Sequence, residues 1–108
     1  MPLVSGAFTI GAGQHRVWRF VVPNRATILG RFRAPGQHND VEVFILNEDG
    51  YENFRKGYGT PTFYNSGKVV VGTVNTTLGA GVYYIVFNNG YSIITPKAVE
   101  ANIGIQYE

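Results

Sequence analysis

The chain contains no cysteine. Neither a disulfide staple nor a thiolate metal site is therefore open to it. Charge is scarce as well: only 15% of the 108 residues are Asp, Glu, Lys or Arg, and the formal net charge is +2. Histidine occurs twice (His15, His38) and serine three times (Ser5, Ser66, Ser92). No apolar run approaches the length of a membrane-spanning helix. The start, Met1-Pro2-Leu3-Val4-Ser5-Gly6, lacks the basic segment and apolar stretch of a signal peptide. Small secreted domains often rely on disulfides, so the missing cysteine leans towards the cytoplasm. Cysteine-free exported bacterial domains leave the localisation open.

Each shortage narrows the chemistry. A Ser-His-Asp hydrolase needs a nucleophile on a strained turn with a base in reach, and no G-x-S-x-G turn exists. His38-Asn39-Asp40 has the composition to orient a base but reads better as a polar loop tip. Paired carboxylates for glycoside hydrolysis must flank a cleft. The candidates Asp40, Glu42, Glu48, Asp49 and Glu52 all fall in one short segment. For calcium, Asn39 and Asp40 lie at one end of a strand and Asn47, Glu48 and Asp49 at the other. At about 3.3 Å per residue these ends are ~20 Å apart, too far for one ion. Asn47-Glu48-Asp49-Gly50 reads as a turn, with a weak calcium site at the same residues as the alternative. Gly79-Ala80-Gly81 lacks the lysine and following helix of a phosphate loop. The chain is read as no enzyme, with no cofactor and no metal.

What is abundant is aromatic residues and glycine: seven Phe, seven Tyr, one Trp and 14 Gly. That balance suits short strands joined by tight turns. Strand patterns fall at residues 15–22, 26–34, 41–46, 68–74, 82–88 and 97–107, with a short edge strand at 62–64. In the second, Ile28, Phe32 and Ala34 share one face while Arg31 and Arg33 take the other. In the last, Val99, Ala101, Ile103, Ile105 and Tyr107 are expected to face in. Residues 82–88 are apolar on both faces, so a central strand or an interface is expected there. Pro23-Asn24-Arg25 and Leu78-Gly79-Ala80-Gly81 read as turns. In 51–59, Tyr51, Phe54 and Tyr58 are spaced for one helical turn. With no helix long enough for a parallel crossover, the expected fold is all-β: one antiparallel β-sandwich, jelly-roll-like, of seven or eight strands spanning residues 1–108.

The order of several segments resembles the GOLD (Golgi-dynamics) type of β-sandwich, in particular small bacterial relatives. These segments are Asn39-Asp40-Val41-Glu42-Val43-Phe44-Ile45-Leu46, Tyr51-Glu52-Asn53-Phe54, Tyr64-Asn65-Ser66-Gly67-Lys68, Gly81-Val82-Tyr83-Tyr84-Ile85-Val86-Phe87-Asn88-Asn89, Tyr91-Ser92 and Lys97-Ala98-Val99. The resemblance implies a sandwich used for protein or lipid-associated recognition, with no catalytic residues. The coiled-coil and membrane segments of the trafficking members are absent from these 108 residues, so a cargo-receptor role is not implied.

Two binding functions follow. The first is a protein-interaction or self-assembly module, contacting its partner or another copy through Arg31, Arg33, Tyr51, Phe54, Tyr58 and Tyr64. The alternative is a carbohydrate-binding module of an exported protein, stacking sugars on Trp18, Tyr51, Tyr58 and Tyr64. Nucleic acid is disfavoured. Arg16, Arg19, Arg31 and Arg33 with Trp18 have the right chemistry, but the acidic segment 40–52 and the small net charge oppose it. The acid-free stretch 1–39 and the base-free stretch 40–52 are expected to lie side by side and neutralise each other. Asn75-Thr76-Thr77 matches the glycosylation sequon, which matters only in a secreted eukaryotic chain.

Overall fold

The computed structural model describes residues 1–36 and 39–108. His38, and with it the suggested His38-Asn39-Asp40 base, lies outside the described residues. Among the described residues six strands and one helix follow in the order β1 (Pro2–Ile10), β2 (His15–Arg33), β3 (Val41–Asn47), α1 (Glu48–Arg55), β4 (Tyr64–Val69), β5 (Val71–Asn88) and β6 (Lys97–Tyr107). They form one antiparallel sheet ordered β1-β6-β2-β5-β3-β4.

This sheet makes a sandwich because its two longest strands bend. Residues 15–22 of β2 pair with 81–88 of β5, and 25–33 pair with 71–79. Between the two runs β2 has one extra residue, a bulge at Pro23-Asn24 against Ala80. Proline has no N–H to offer a ladder, and a bulge bends a strand and strengthens its twist. Gly79 and Gly81 flank the bend on the partner strand. Each long strand thus runs the length of the molecule, folds over and returns. The first layer holds β1, β6, the 25–33 arm of β2 and the 71–79 arm of β5. The second holds the 15–22 arm, the 81–88 arm, β3 and β4. Six continuous strands therefore give eight arms.

Hence the stretches read as turns at 23–25 and 78–81 are bends inside continuous strands. Their glycine and proline mark a change of layer. Residues 2–10, which showed no strong strand pattern, form an edge strand against β6. The expected strand at 68–74 breaks at Val70, dividing β4 from β5. Tyr107, expected inside, is 45% exposed at the end of the last strand.

The core lies between the layers. Ile28, Phe32, Val74, Leu78, Val99 and Ile103 come from the first, and Val22, Val43, Ile45, Ile85 and Phe87 from the second. Phe87 is the joint: its ring meets Phe32 at 5.9 Å, Phe8 at 5.2 Å and Trp18 at 5.5 Å, all edge-on. Edge-to-face contact at such separations is favoured by the ring quadrupoles. Phe32 reaches this position across Gly72, where any Cβ would overlap its ring.

A smaller cluster sits outside the second layer, where α1 covers Phe44, Leu46 and Val86 with Tyr51 and Phe54. This is why residues 82–88 are apolar on both faces. The segment Asn47-Glu48-Asp49-Gly50 is therefore no simple turn. Asn47 is the N-cap, its Oδ1 accepting from Gly50 N at 2.8 Å, and Glu48 and Asp49 occupy the first helical turn. An amide cap and early acids both favour a helix start, the first by satisfying a free N–H and the second through the helix dipole.

Candidate binding surfaces

The expected site residues are split between the outer face of the first layer and the surroundings of the second. Arg31 and Arg33 project from the 25–33 arm onto the bare outer face of the first layer. There a groove of about 560 Å³ is lined by these arginines with Gly6, Ala7, Val71, Glu100 and Asn102 among others. β6 neighbours β2 here, placing Arg33 opposite Glu100 and Arg31 opposite Asn102. Arg33 Nε donates to Glu100 Oε2 at 2.6 Å. Arg31 has no carboxylate within ion-pairing distance among the described residues. Small side chains at Gly6 and Ala7 on β1 leave the groove open. Arg25 pairs with Glu108, just past the end of β6. The paired N-terminal arginines are thus met by acids of β6 and not by the segment 40–52. Among the described residues no ion pair joins the two segments, because the strand beside this arm of β2 is β6 and not β3.

Tyr51 and Phe54 lie on α1, outside the second layer. Tyr51 stacks on Tyr84 with centroids 4.5 Å apart and planes 13° apart, and its hydroxyl bonds His15 Nε2 at 3.1 Å. Phe54 meets His15 edge-on at 5.1 Å. Burial, and then the positive charge of Arg55, hold the His15 imidazole below its ordinary pKa. These rings pack the helix to the sheet and leave little face free. Tyr58, past the helix end, is 64% exposed. Tyr64 sits at the edge of β4 with its hydroxyl donating to the Thr73 carbonyl at 2.7 Å, and burial raises its pKa. Trp18 belongs to the core side of the second layer, between Phe8 and Phe87, with the Arg16 guanidinium 5.7 Å from its ring. The structure therefore does not bring Trp18, Tyr51, Tyr58 and Tyr64 onto one platform. Of these four only Tyr58 is largely exposed.

A third region is the end where β5 passes to β6, where Asp40 and Tyr91, weighed one by one in the sequence reading, come together beside Asn89 and the loop that follows it. Asn89 is fully buried, its Nδ2 donating to the carbonyls of Ile10, Gly11 and Thr95. Its Oδ1 has no hydrogen-bond partner among the described residues. Beside it, Asp40 Oδ1 accepts from Tyr91 Oη at 2.9 Å and from Lys97 Nζ at 3.0 Å. Burial pushes the Asp40 carboxyl up. The bonds from Lys97 and Tyr91, with the charges of Lys97 and Lys68, outweigh that and hold it below its usual value. Burial, the bond to Asp40 and the nearby Asp40 and Glu42 charges push the Tyr91 phenol well up. On this fixed base the loop presents Ile93 and Ile94, 91% and 85% exposed. Two adjacent isoleucines in an otherwise turn-like stretch were the available signal. Among the described residues no three His, Cys, Asp or Glu side chains group so as to hold a metal, and no helix is long and apolar enough to cross a membrane.

No family model and no curated sequence matches this chain. Solved structures do. The pre-peptidase C-terminal domain of a collagenase from Bacillus anthracis superposes with a TM-score of 0.58 at 11% identity, covering 94% of this chain and 90% of that one. A periplasmic inhibitor of g-type lysozyme from Aeromonas hydrophila superposes with a TM-score of 0.53 at 14% identity, over 95% of this chain and 83% of that one. At such identities the likeness shows a shared fold: this chain is an antiparallel β-sandwich of the kind those two domains adopt.

Proposed function

We propose that the domain is a non-enzymatic binding module that recognises a protein partner through the outer face of its first layer. The observation that carries this reading is the groove beside Arg31. A guanidinium with no carboxylate partner among the described residues sits in an open cleft shared with Gly6, Ala7, Val71 and Asn102, next to an arginine already held by Glu100. Arginine's planar fork suits a carboxylate on the partner. Ala7 and Val71 supply apolar contact around that anchor. The Aeromonas neighbour, an inhibitor of g-type lysozyme, is an instance of a protein partner for this type of sandwich. The GOLD type, as the family the chain resembles, is part of the same proposal and accords with recognition in place of catalysis.

The test is a binding screen of the chain against peptide arrays graded in acidity, with a glycan array in parallel. Acidic peptides are expected to bind, and the double charge reversal Arg31→Glu with Arg33→Glu to weaken them at least ~10-fold. Unchanged affinity in that variant would overturn the reading. A glycan signal lost on Tyr58→Ala would replace it with the carbohydrate alternative.

A further inference from the structure

Among the described residues the sandwich has four free edges: β1, β4, the 15–22 arm of β2 and the 71–79 arm of β5. A free edge is a template for another strand, and proteins blunt such edges with proline, charge, bulges or shortness. Three of the four are blunted. β1 begins at Pro2 and its register breaks between Pro2 and Val4. The 15–22 arm carries His15, Arg16 and Arg19. β4 has six residues, an irregularity against β3, and Lys68. The 71–79 arm has none of these. Its sequence Val-Gly-Thr-Val-Asn-Thr-Thr-Leu-Gly holds no charge and no proline, and its register with β2 is unbroken from Arg33↔Val71 to Arg25↔Gly79.

In an antiparallel strand the N–H and C=O of one residue point to the same side, and the side alternates along the chain. Two bonds reveal which residues point outward. Tyr64 Oη donates to the Thr73 carbonyl at 2.7 Å, and Tyr83 Oη donates to the Gly79 carbonyl at 3.0 Å. The odd-numbered residues therefore face away from β2. Between the two capped carbonyls lie Asn75 and Thr77, both exposed. Their outward N–H and C=O groups have no partner strand among the described residues.

We propose that this edge pairs with a second copy of the chain, antiparallel and two-fold about Thr76, so that Asn75 lies opposite Thr77 of the other copy. The slot is self-complementary. Its two open residues exchange four backbone hydrogen bonds with their equivalents, as an isologous contact requires. The same register places Thr73 opposite Gly79, so pairing ends in both copies where a tyrosine hydroxyl already satisfies the carbonyl. With no charge on the arm, no like charges meet across the contact. The two first layers would join into one continuous sheet. The apolar strand 82–88, which by its pattern was the candidate interface, is excluded from this role because α1 covers Val86 and Tyr84.

Four backbone bonds and a narrow strip of side chains make a weak contact, with Kd on the order of 0.1–1 mM. Sedimentation and amide exchange of the full chain, run from about 10 μM to about 2 mM, test it. The expected result is a monomer–dimer equilibrium in which the Asn75 and Thr77 amides gain protection as concentration rises. Asn75→Pro removes only an outward N–H, which an edge strand tolerates, and should weaken association at least ~10-fold. The double variant Asn75→Lys with Thr77→Lys sets like charges opposite each other and should do the same. Asn75→Lys with Thr77→Glu sets opposite charges in register and should restore it. A wild-type chain that stays monomeric throughout overturns the proposal. So does a dimer that survives both disrupting variants. Should Asn75→Pro fail to fold, the lysine pair decides alone, since both side chains lie on the exposed face.

Discussion

The two arms of β5 are halves of one strand that live under opposite conditions. The 81–88 arm is central in its layer, with β2 on one side and β3 on the other. One face meets the core through Tyr83, Ile85 and Phe87, and the other lies under α1 through Tyr84 and Val86. The 71–79 arm has a neighbour on one side only, and one of its faces is open to solvent. The sequences follow suit. Val-Tyr-Tyr-Ile-Val-Phe has no polar alternation, whereas Val-Gly-Thr-Val-Asn-Thr-Thr-Leu alternates exposed and buried positions. Hydrophobic pattern thus reports how many faces of a strand are covered, not where a strand begins or ends.

The strongest way to break this comparison is to truncate one side chain in each arm. Phe87 is fully buried and touches three other rings. Phe87→Ala should cost about 3–5 kcal/mol through lost transfer energy and a residual cavity. Thr73→Ala, on the exposed face of the other arm, should stay within about 0.5 kcal/mol. Denaturant melts of both variants check the contrast, and similar costs would show that the free arm is packed more tightly than its exposure indicates. Next in size is Asn89→Ala, just beyond the paired arm. It leaves the carbonyls of Ile10, Gly11 and Thr95 without the fully buried Asn89 amide, which should cost about 1–3 kcal/mol.

A gentler probe concerns the cover on the paired arm. Asn47 caps α1 through Gly50 N, and loss of such a cap costs about 0.5–2 kcal/mol. Asn47→Ala should lower the melting temperature by a few degrees. If the helix alone hides Val86 and Tyr84, the variant should also bind an apolar dye more strongly before the main transition. A fall in stability without added dye binding would mean that the cap matters but the cover does not open.

Much of this was legible beforehand. The alternation Ile28, Arg31, Phe32, Arg33, Ala34 placed two arginines outside and the rest inside, as observed. The alternation Val99 to Ile105 did the same for β6. The bends were not legible, because Gly and Pro terminate strands and bulge them with the same residues. The helix was half visible. Tyr51 and Phe54 had helical spacing, but Asn47-Glu48-Asp49-Gly50 is composed as both a turn and an N-cap. What distinguishes the two is the Phe44-Leu46-Val86 face waiting to be covered, a tertiary fact. The candidate surfaces fared likewise. The outward placement of Arg31 and Arg33 follows from alternation, whereas the fate of each tyrosine depends on a partner distant in sequence: Tyr84 and His15 for Tyr51, Thr73 for Tyr64.

The smallest expected effect comes from the seam between α1 and the sheet, and it separates the two regions by pH. His15 is held below its ordinary pKa of 6.5, chiefly by burial and next by Arg55. The folded state therefore binds its proton less readily than the unfolded state. Stability is fully present above the unfolded pKa and is lost as the pH falls from about 6.5 through the lower folded value. Asp40 is likewise depressed, so its contribution is lost only below the ordinary carboxylate pKa near 3.8. Melting temperature measured between about pH 7.5 and 5 should thus fall slightly, with the loss confined to the His15 window. His15→Gln keeps a hydrogen-bonding group for the Tyr51 hydroxyl without the titration, and should flatten that slope while leaving the acid-side loss in place. A slope that persists in His15→Gln would move its origin away from the helix seam, and the covered arm of β5 would then be no more pH-sensitive than the free one.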